Sequence, residues 1–81
     1  MKRKSKTTEF NQLFGRIVRE RREQLKISQE DLADEAPVHR TYVSSIELGK
    51  TDMSLSVAYK ISKALKIPLY KLIKKAESSL K

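Results

Sequence analysis

The chain has 81 residues, enough for one domain and near the lower limit for a core that stands alone. It holds no cysteine, which excludes disulfides and thiolate metal sites, and no apolar run approaches the roughly 18–20 residues of a membrane span. Its formal net charge of +8 favours polyanionic partners, with nucleic acid ahead of an anionic membrane surface.

The charge is segregated. Residues 1–26 carry nine Lys/Arg against three acids, residues 27–48 carry only Arg40 against five acids, and residues 49–81 carry eight Lys against two acids. Met1 to Thr8 are polar and without periodicity, so residues 1–8 read as a flexible basic arm, either a solvated tail or an arm lying along DNA. No apolar stretch follows this basic start, so it is not a secretory signal, and the expected location is the cytoplasm.

From Glu9 the pattern is helical. Leu13, Phe14, Ile17, Val18 and Leu25 recur at steps of three and four, which predicts a first helix over about Asn11 to Leu25. Gly15 lies inside it and weakens it slightly. Ser28 is an N-cap with Asp31 as a shortened capping-box partner, and Ile27 can staple onto Leu32. The second helix runs from about Gln29 to Glu35 with Leu32, Ala33 and Ala36 inward. Its acids Glu30 and Asp31 suit the helix dipole, so the acidic middle has a local reason.

Pro37 stops that helix. A third follows closely, Arg40 to Leu48, with Tyr42, Val43 and Ile46 at helical spacing and Gly49 as a left-handed C′ residue. After a polar loop, Ser54 or Ser56 caps a fourth helix whose stripe is Leu55, Ala58, Ile61, Ala64 and Leu65. Pro68 opens a fifth from its first turn, with Leu69, Leu72, Ile73 and Ala76 in register and Leu80 beyond. The domain is expected over residues 9–77, with 78–81 a tail. Strand signals are weak throughout.

Two short helices joined as tightly as those spanning Ser28 to Leu48 cross steeply, so one can enter the major groove while the other braces it. The residues add to that geometry. Ser28-Gln29-Glu30-Asp31-Leu32-Ala33 followed by Arg40-Thr41-Tyr42-Val43-Ser44-Ser45-Ile46-Glu47-Leu48-Gly49-Lys50 resembles the Cro/C1-type helix-turn-helix family of bacterial and phage regulators. Met53-Ser54-Leu55 and Ala64-Leu65-Lys66-Ile67-Pro68-Leu69 fit the family's fourth and fifth helices, and the run Arg-Thr-Tyr-Val-Ser is similar to controller proteins of restriction–modification systems. The resemblance spans about Phe14 to Ile73. It implies an all-α, five-helix, lambda-repressor-like domain that binds double-stranded DNA as a homodimer on a palindromic operator. It also implies a nucleoid-associated location and needs no cofactor, metal or small-molecule ligand.

The resemblance also implies roles for particular residues. Gln29 binds a phosphate and braces a residue of the reading helix. Arg40 and Thr41 touch base edges from the first exposed turn, with Ser44 and Ser45 one turn on. Arg40 either forks onto guanine O6 and N7 or clamps a phosphate without reading a base. Tyr42 packs its ring between helices or reaches a phosphate with its hydroxyl, and Lys50 contacts the backbone. Arg22 and Glu47 form an ion pair that ties the first helix to the third. The dimer surface is expected on Leu69, Ile73, Ala76 and Leu80, unless these only complete the monomer core.

Two departures stand out. Pro37 occupies a turn position where the family usually has glycine, and proline cannot adopt a positive φ, so the turn must differ or the second helix must end early. His39 replaces a capping Ser or Thr and caps poorly; it is either structural or a phosphate contact that protonation strengthens. A lone histidine without cysteine argues against a metal site. Other readings are an antitoxin-type or scaffold module that binds protein rather than DNA, and a basic amphipathic membrane binder, against which each apolar stripe has a partner stripe. An enzyme is the least supported, since no catalytic constellation or phosphate-cradling glycine loop is present.

Overall fold

The computed structural model describes residues 6–80, with side chains from Thr8 onward. Its elements are α1 (Lys6–Gln24), α2 (Gln29–Glu35), α3 (Arg40–Glu47), α4 (Leu55–Ala64) and α5 (Leu69–Ser79), and no strand occurs among the described residues. No helix among them is long and apolar enough to cross a membrane.

Two boundaries move. α1 starts at Lys6 rather than near Asn11, so the proposed arm loses Lys6 to Thr8 to the helix, and its residues 1–5 lie outside the described residues. α5 continues to Ser79, so the tail expected at 78–81 shrinks to Leu80 and the undescribed Lys81.

The core forms where the stripes of all five helices meet. Phe14 and Val18 of α1, Leu32 and Ala33 of α2, Val43 and Ile46 of α3, Ala58, Ile61 and Ala64 of α4, and Leu72 and Ala76 of α5 are buried, with Leu65 between the last two helices. α1 is the central strut, packed on α3 along one side and α5 along another. One expected member is absent: Leu55, assigned to the α4 stripe, is 74% exposed. It is the first residue after the Ser54 cap, and the stripe that turns inward begins one turn later with Ala58.

The helix ends follow one design. After α1, α2, α3 and α4 the chain places Lys26, Pro37, Gly49 and Lys66 at positive φ. In each case the next N–H reaches back five residues: Ile27 to Arg22 O, Val38 to Ala33 O, Lys50 to Ser45 O and Ile67 to Ser62 O. These are Schellman closures, which satisfy carbonyls that a helix end otherwise leaves open. Arg21 adds a further link, donating from Nε to Leu65 O at 2.9 Å and from Nη2 to Lys66 O at 3.2 Å, and so ties α1 to the end of α4. Pro68 stands at the N-cap of α5 (φ −60°, ψ 140°) rather than inside its first turn.

Candidate nucleic-acid interface

The residues proposed to read DNA lie on a helix whose two faces are sharply divided. α3 turns Val43, Ile46 and Glu47 inward, while Arg40, Thr41 and Leu48 are exposed and Ser44 and Ser45 half-exposed. His39 and Lys50 flank it on the surface, and Tyr42 is half-buried against the core. Among the described residues no side chain hydrogen-bonds or ion-pairs with the Arg40 guanidinium, whereas the buried face is bonded to two neighbouring helices.

That inner face is fixed by Glu47. Its Oε2 accepts from Arg22 Nε at 2.7 Å, and its Oε1 accepts from Arg22 Nη2 at 3.1 Å and from Gln29 Nε2 at 3.0 Å. Arg22 Nη1 also donates to Ile27 O at 2.9 Å. One carboxylate therefore joins α1, α2 and α3, through a bidentate charge-assisted pair of the strongest type. Both partners of the pair are largely buried, Glu47 almost wholly. The Arg22 guanidinium is raised above its ordinary value, chiefly by its hydrogen bonds to Glu47 and against the opposing effect of desolvation. Gln29 thus spends one amide hydrogen on bracing α3.

The entrance to α2 is equally well made. Ser28 Oγ accepts from Asp31 N at 2.9 Å, and Ser28 N donates to Asp31 Oδ2 at 3.0 Å, a complete capping box. The Asp31 carboxyl is held below the ordinary carboxylate range, mainly by the Ser28 backbone N–H and secondarily by the Ser28 side chain. Ile27 packs against the core beside this cap.

The turn between α2 and α3 departs from what proline chemistry implies. α2 ends at Glu35, where the sequence placed it, yet Pro37 stands at φ +25°, so the backbone follows the course that glycine takes at this position. The pyrrolidine ring resists that angle, and the missing N–H leaves the turn one Schellman bond short. His39, at the N-cap of α3, makes no side-chain capping bond.

Two glycines position α3 in a way that their reading as a weak helix residue and a C′ stop does not include. A Cβ on Gly15 would lie 2.1 Å from Ile46 O and 2.9 Å from Glu47 O, so α1 and α3 cross with backbone almost in contact. Seven residues, nearly two helical turns, separate Gly15 from Arg22. Both therefore lie on the face of α1 that meets α3, a signal the spacing carried. Gly49, at φ +71°, serves the same crossing, because a Cβ there would lie 2.7 Å from Gln12 Cα. Of the residues placed at a dimer surface, Ala76 is corrected: it is 0% exposed in its own core. Leu69 and Ile73 pack partly against that core, and Leu80 is half-exposed.

The helix-turn-helix family model matches residues 18–72. The chain belongs to the helix-turn-helix family. It is 48% identical over 60 residues to control protein C.BamHI of Bacillus amyloliquefaciens, covering 73% of this chain and 74% of that one. Control protein C.MunI of a Mycoplasma species is 42% identical over 65 residues, covering 79% of this chain and 88% of its own. Among solved structures, the restriction–modification controller protein C.AhdI of Aeromonas hydrophila superposes with a TM-score of 0.74 at 36% identity, over 75% of this chain and 92% of that chain. The Cro/C1-type resemblance is thereby borne out, and this helix-turn-helix protein is a sequence-specific DNA-binding transcriptional regulator. Its family is one of regulators rather than a class of enzymes.

Proposed function

We propose that α3 lies in the major groove of double-stranded DNA, that two copies of the chain bind a palindromic operator, and that this operator controls a restriction–modification system. The observation that carries the reading is the division of α3: its inner face is locked by Glu47 to Arg22 and Gln29, and its outer face offers Arg40, Thr41, Ser44 and Ser45 to solvent. Arg40 donates two bonds to guanine O6 and N7, and Thr41 supplies a hydroxyl or a methyl to the neighbouring base. Gln29, His39, Lys50 and the Tyr42 hydroxyl hold phosphates and fix the register. The likeness to three control proteins supports the restriction–modification assignment.

The homodimer reading now rests on Leu69, Ile73 and Leu80 without Ala76. Exposed Leu55 joins them, since it and Ile73 line one largely apolar depression of about 280 Å³ with Phe10, Phe14, Met53 and Ala58, beside polar Asn11, Asp52 and Ser54. Pairing two such faces hides apolar surface that a chain of this size leaves open. Control would then follow protein concentration through dimerisation, with no ligand required.

Selection of bound sites from random DNA tests the whole reading. The expected product is an inverted repeat whose half-site centres lie about 34 Å apart, one turn of DNA. Enrichment of a lone unpaired site, or of nothing, would refute it. Leu55→Glu tests the dimer separately, because the side chain is outside the core: sedimentation should show monomers and operator affinity should fall.

A further inference from the structure

Leu48 is 56% exposed on the helix that reads DNA, and nothing in the fold explains a large apolar side chain there. It is the C-cap of α3 at φ −85°, an ordinary helical angle that many residues accept. The Schellman closure that follows uses the backbone of Gly49 and Lys50 and asks nothing of the Leu48 side chain. The core on this helix is supplied by Val43 and Ile46.

Its place around the helix is informative. Thr41, Ser44, Ser45 and Leu48 follow at steps of three, one and three, so at 3.6 residues per turn they form one stripe with Leu48 near its midline. The opposite side holds Val43 and Ile46. This outer stripe is therefore hydroxyl-rich at its start and aliphatic at its end, with Arg40 flanking it about 90° from the midline.

We propose that Leu48 is a specificity residue that reads the C5-methyl group of a thymine, an inference that rests on α3 lying in the major groove. Among the base edges exposed there, only thymine presents a methyl group. Leucine has no donor or acceptor, so placing it against a cytosine amino group or a purine acceptor would bury polar groups without partners. Seven residues from Thr41 to Leu48 cover about 10 Å of helix axis, the length of about three base-pair steps. The thymine read by Leu48 thus lies about three base pairs from the base met by Thr41, at the far end of each half-site.

The test uses the selected operator with each thymine replaced in turn by uracil, which removes the methyl and leaves the base pair otherwise intact. Dissociation constants are measured by fluorescence anisotropy for the full chain, Leu48→Ala and Arg40→Ala, with melting temperature and sedimentation recorded alongside. For the unaltered protein we expect uracil at the position about three base pairs from the Thr41 contact, once per half-site, to weaken binding about fourfold, the worth of one buried methyl-sized group. Leu48→Ala should melt as the parent does, bind the thymine operator more weakly, and be indifferent to uracil at that one position. A Leu48→Ala protein that keeps the parent's response to every uracil overturns the proposal, as does a parent indifferent to all of them. A weaker dimer for Leu48→Ala without DNA assigns the side chain to a protein contact and also overturns it. Arg40→Ala separates the two levels of the argument. If Arg40→Ala changes base preference while Leu48→Ala does not, only the thymine reading fails. If neither residue matters, the placement of α3 in the groove fails and takes this inference with it.

Discussion

The two ends of α3 are held in opposite ways. At its C-terminal end Glu47 is bonded to α1 and α2, Gly15 lets the backbone of α1 press against Ile46 and Glu47, and Gly49 leaves through a left-handed turn that suits it. At its N-terminal end Pro37 occupies a turn angle its ring resists, and His39 supplies no cap. The end that carries Arg40 and Thr41 is therefore the less firmly built, while the far end sets where the helix lies. In a protein that must fit its reading side chains to base edges, orientation comes from one end and adjustment is left to the other.

The largest test of this asymmetry is Arg22→Ala. Removing the guanidinium strands the buried Glu47 carboxylate, which should cost about 3–5 kcal/mol, measured as a shift in the urea unfolding midpoint. The exposed Arg19–Glu23 pair, at 3.1 Å, is the internal control: Arg19→Ala should cost less than about 1 kcal/mol. Equal losses from the two would mean that the buried clamp contributes no more than a surface contact.

Gly15→Ala comes next. On helix propensity alone the change should stabilise α1 by about 1 kcal/mol. The added methyl meets backbone oxygens that cannot swing aside, so overpacking of about 1–3 kcal/mol should outweigh that gain and leave a net loss of up to about 2 kcal/mol. Operator affinity should fall further than stability predicts, since α1 and α3 must separate. A more stable Gly15→Ala protein would show that the crossing is looser than drawn.

At the other end the sign reverses. Pro37→Gly relieves an unfavourable φ, worth about 1–3 kcal/mol, and restores an N–H for the Asp34 carbonyl. Against this stands the freer unfolded chain, about 0.4–1 kcal/mol for each step of relaxation. The net expectation is a gain of about 1 kcal/mol and a higher melting temperature. A lower one would show that the proline is comfortable in this turn.

How far these features could be read in advance depended on whether they were patterns along the chain or meetings across it. The five helices, the Ser28–Asp31 box and the Gly49 stop rest on local spacing and capping, and the sequence spells them out. The Arg22–Glu47 pair came from family likeness, since a sequence separation of 25 positions hides it from any local rule. Leu55 and Ala76 went astray for one reason: periodicity fixes which residues share a face but not where that face starts or what covers it. Gly15 was read as a weak helix former because propensity considers one helix at a time, and its value lies in a second helix crossing it.

The smallest expected effect falls at the uncapped entrance to α3. In His39→Ser the hydroxyl can accept from the Tyr42 N–H, the bond that Ser28 and Ser54 already provide in α2 and α4. Stability should rise by about 0.5–1 kcal/mol, and the Thr41 and Tyr42 amides should exchange with solvent more slowly. If His39 also touches a phosphate, operator affinity should fall in the same variant and its salt dependence should flatten by about one contact per half-site. Stability and affinity moving in opposite directions would show that the chain keeps a poor cap because the DNA uses it. Both rising together would mean that His39 has no part in binding and that a firmer N-terminal end improves reading, which would reverse the assignment of adjustment to that end.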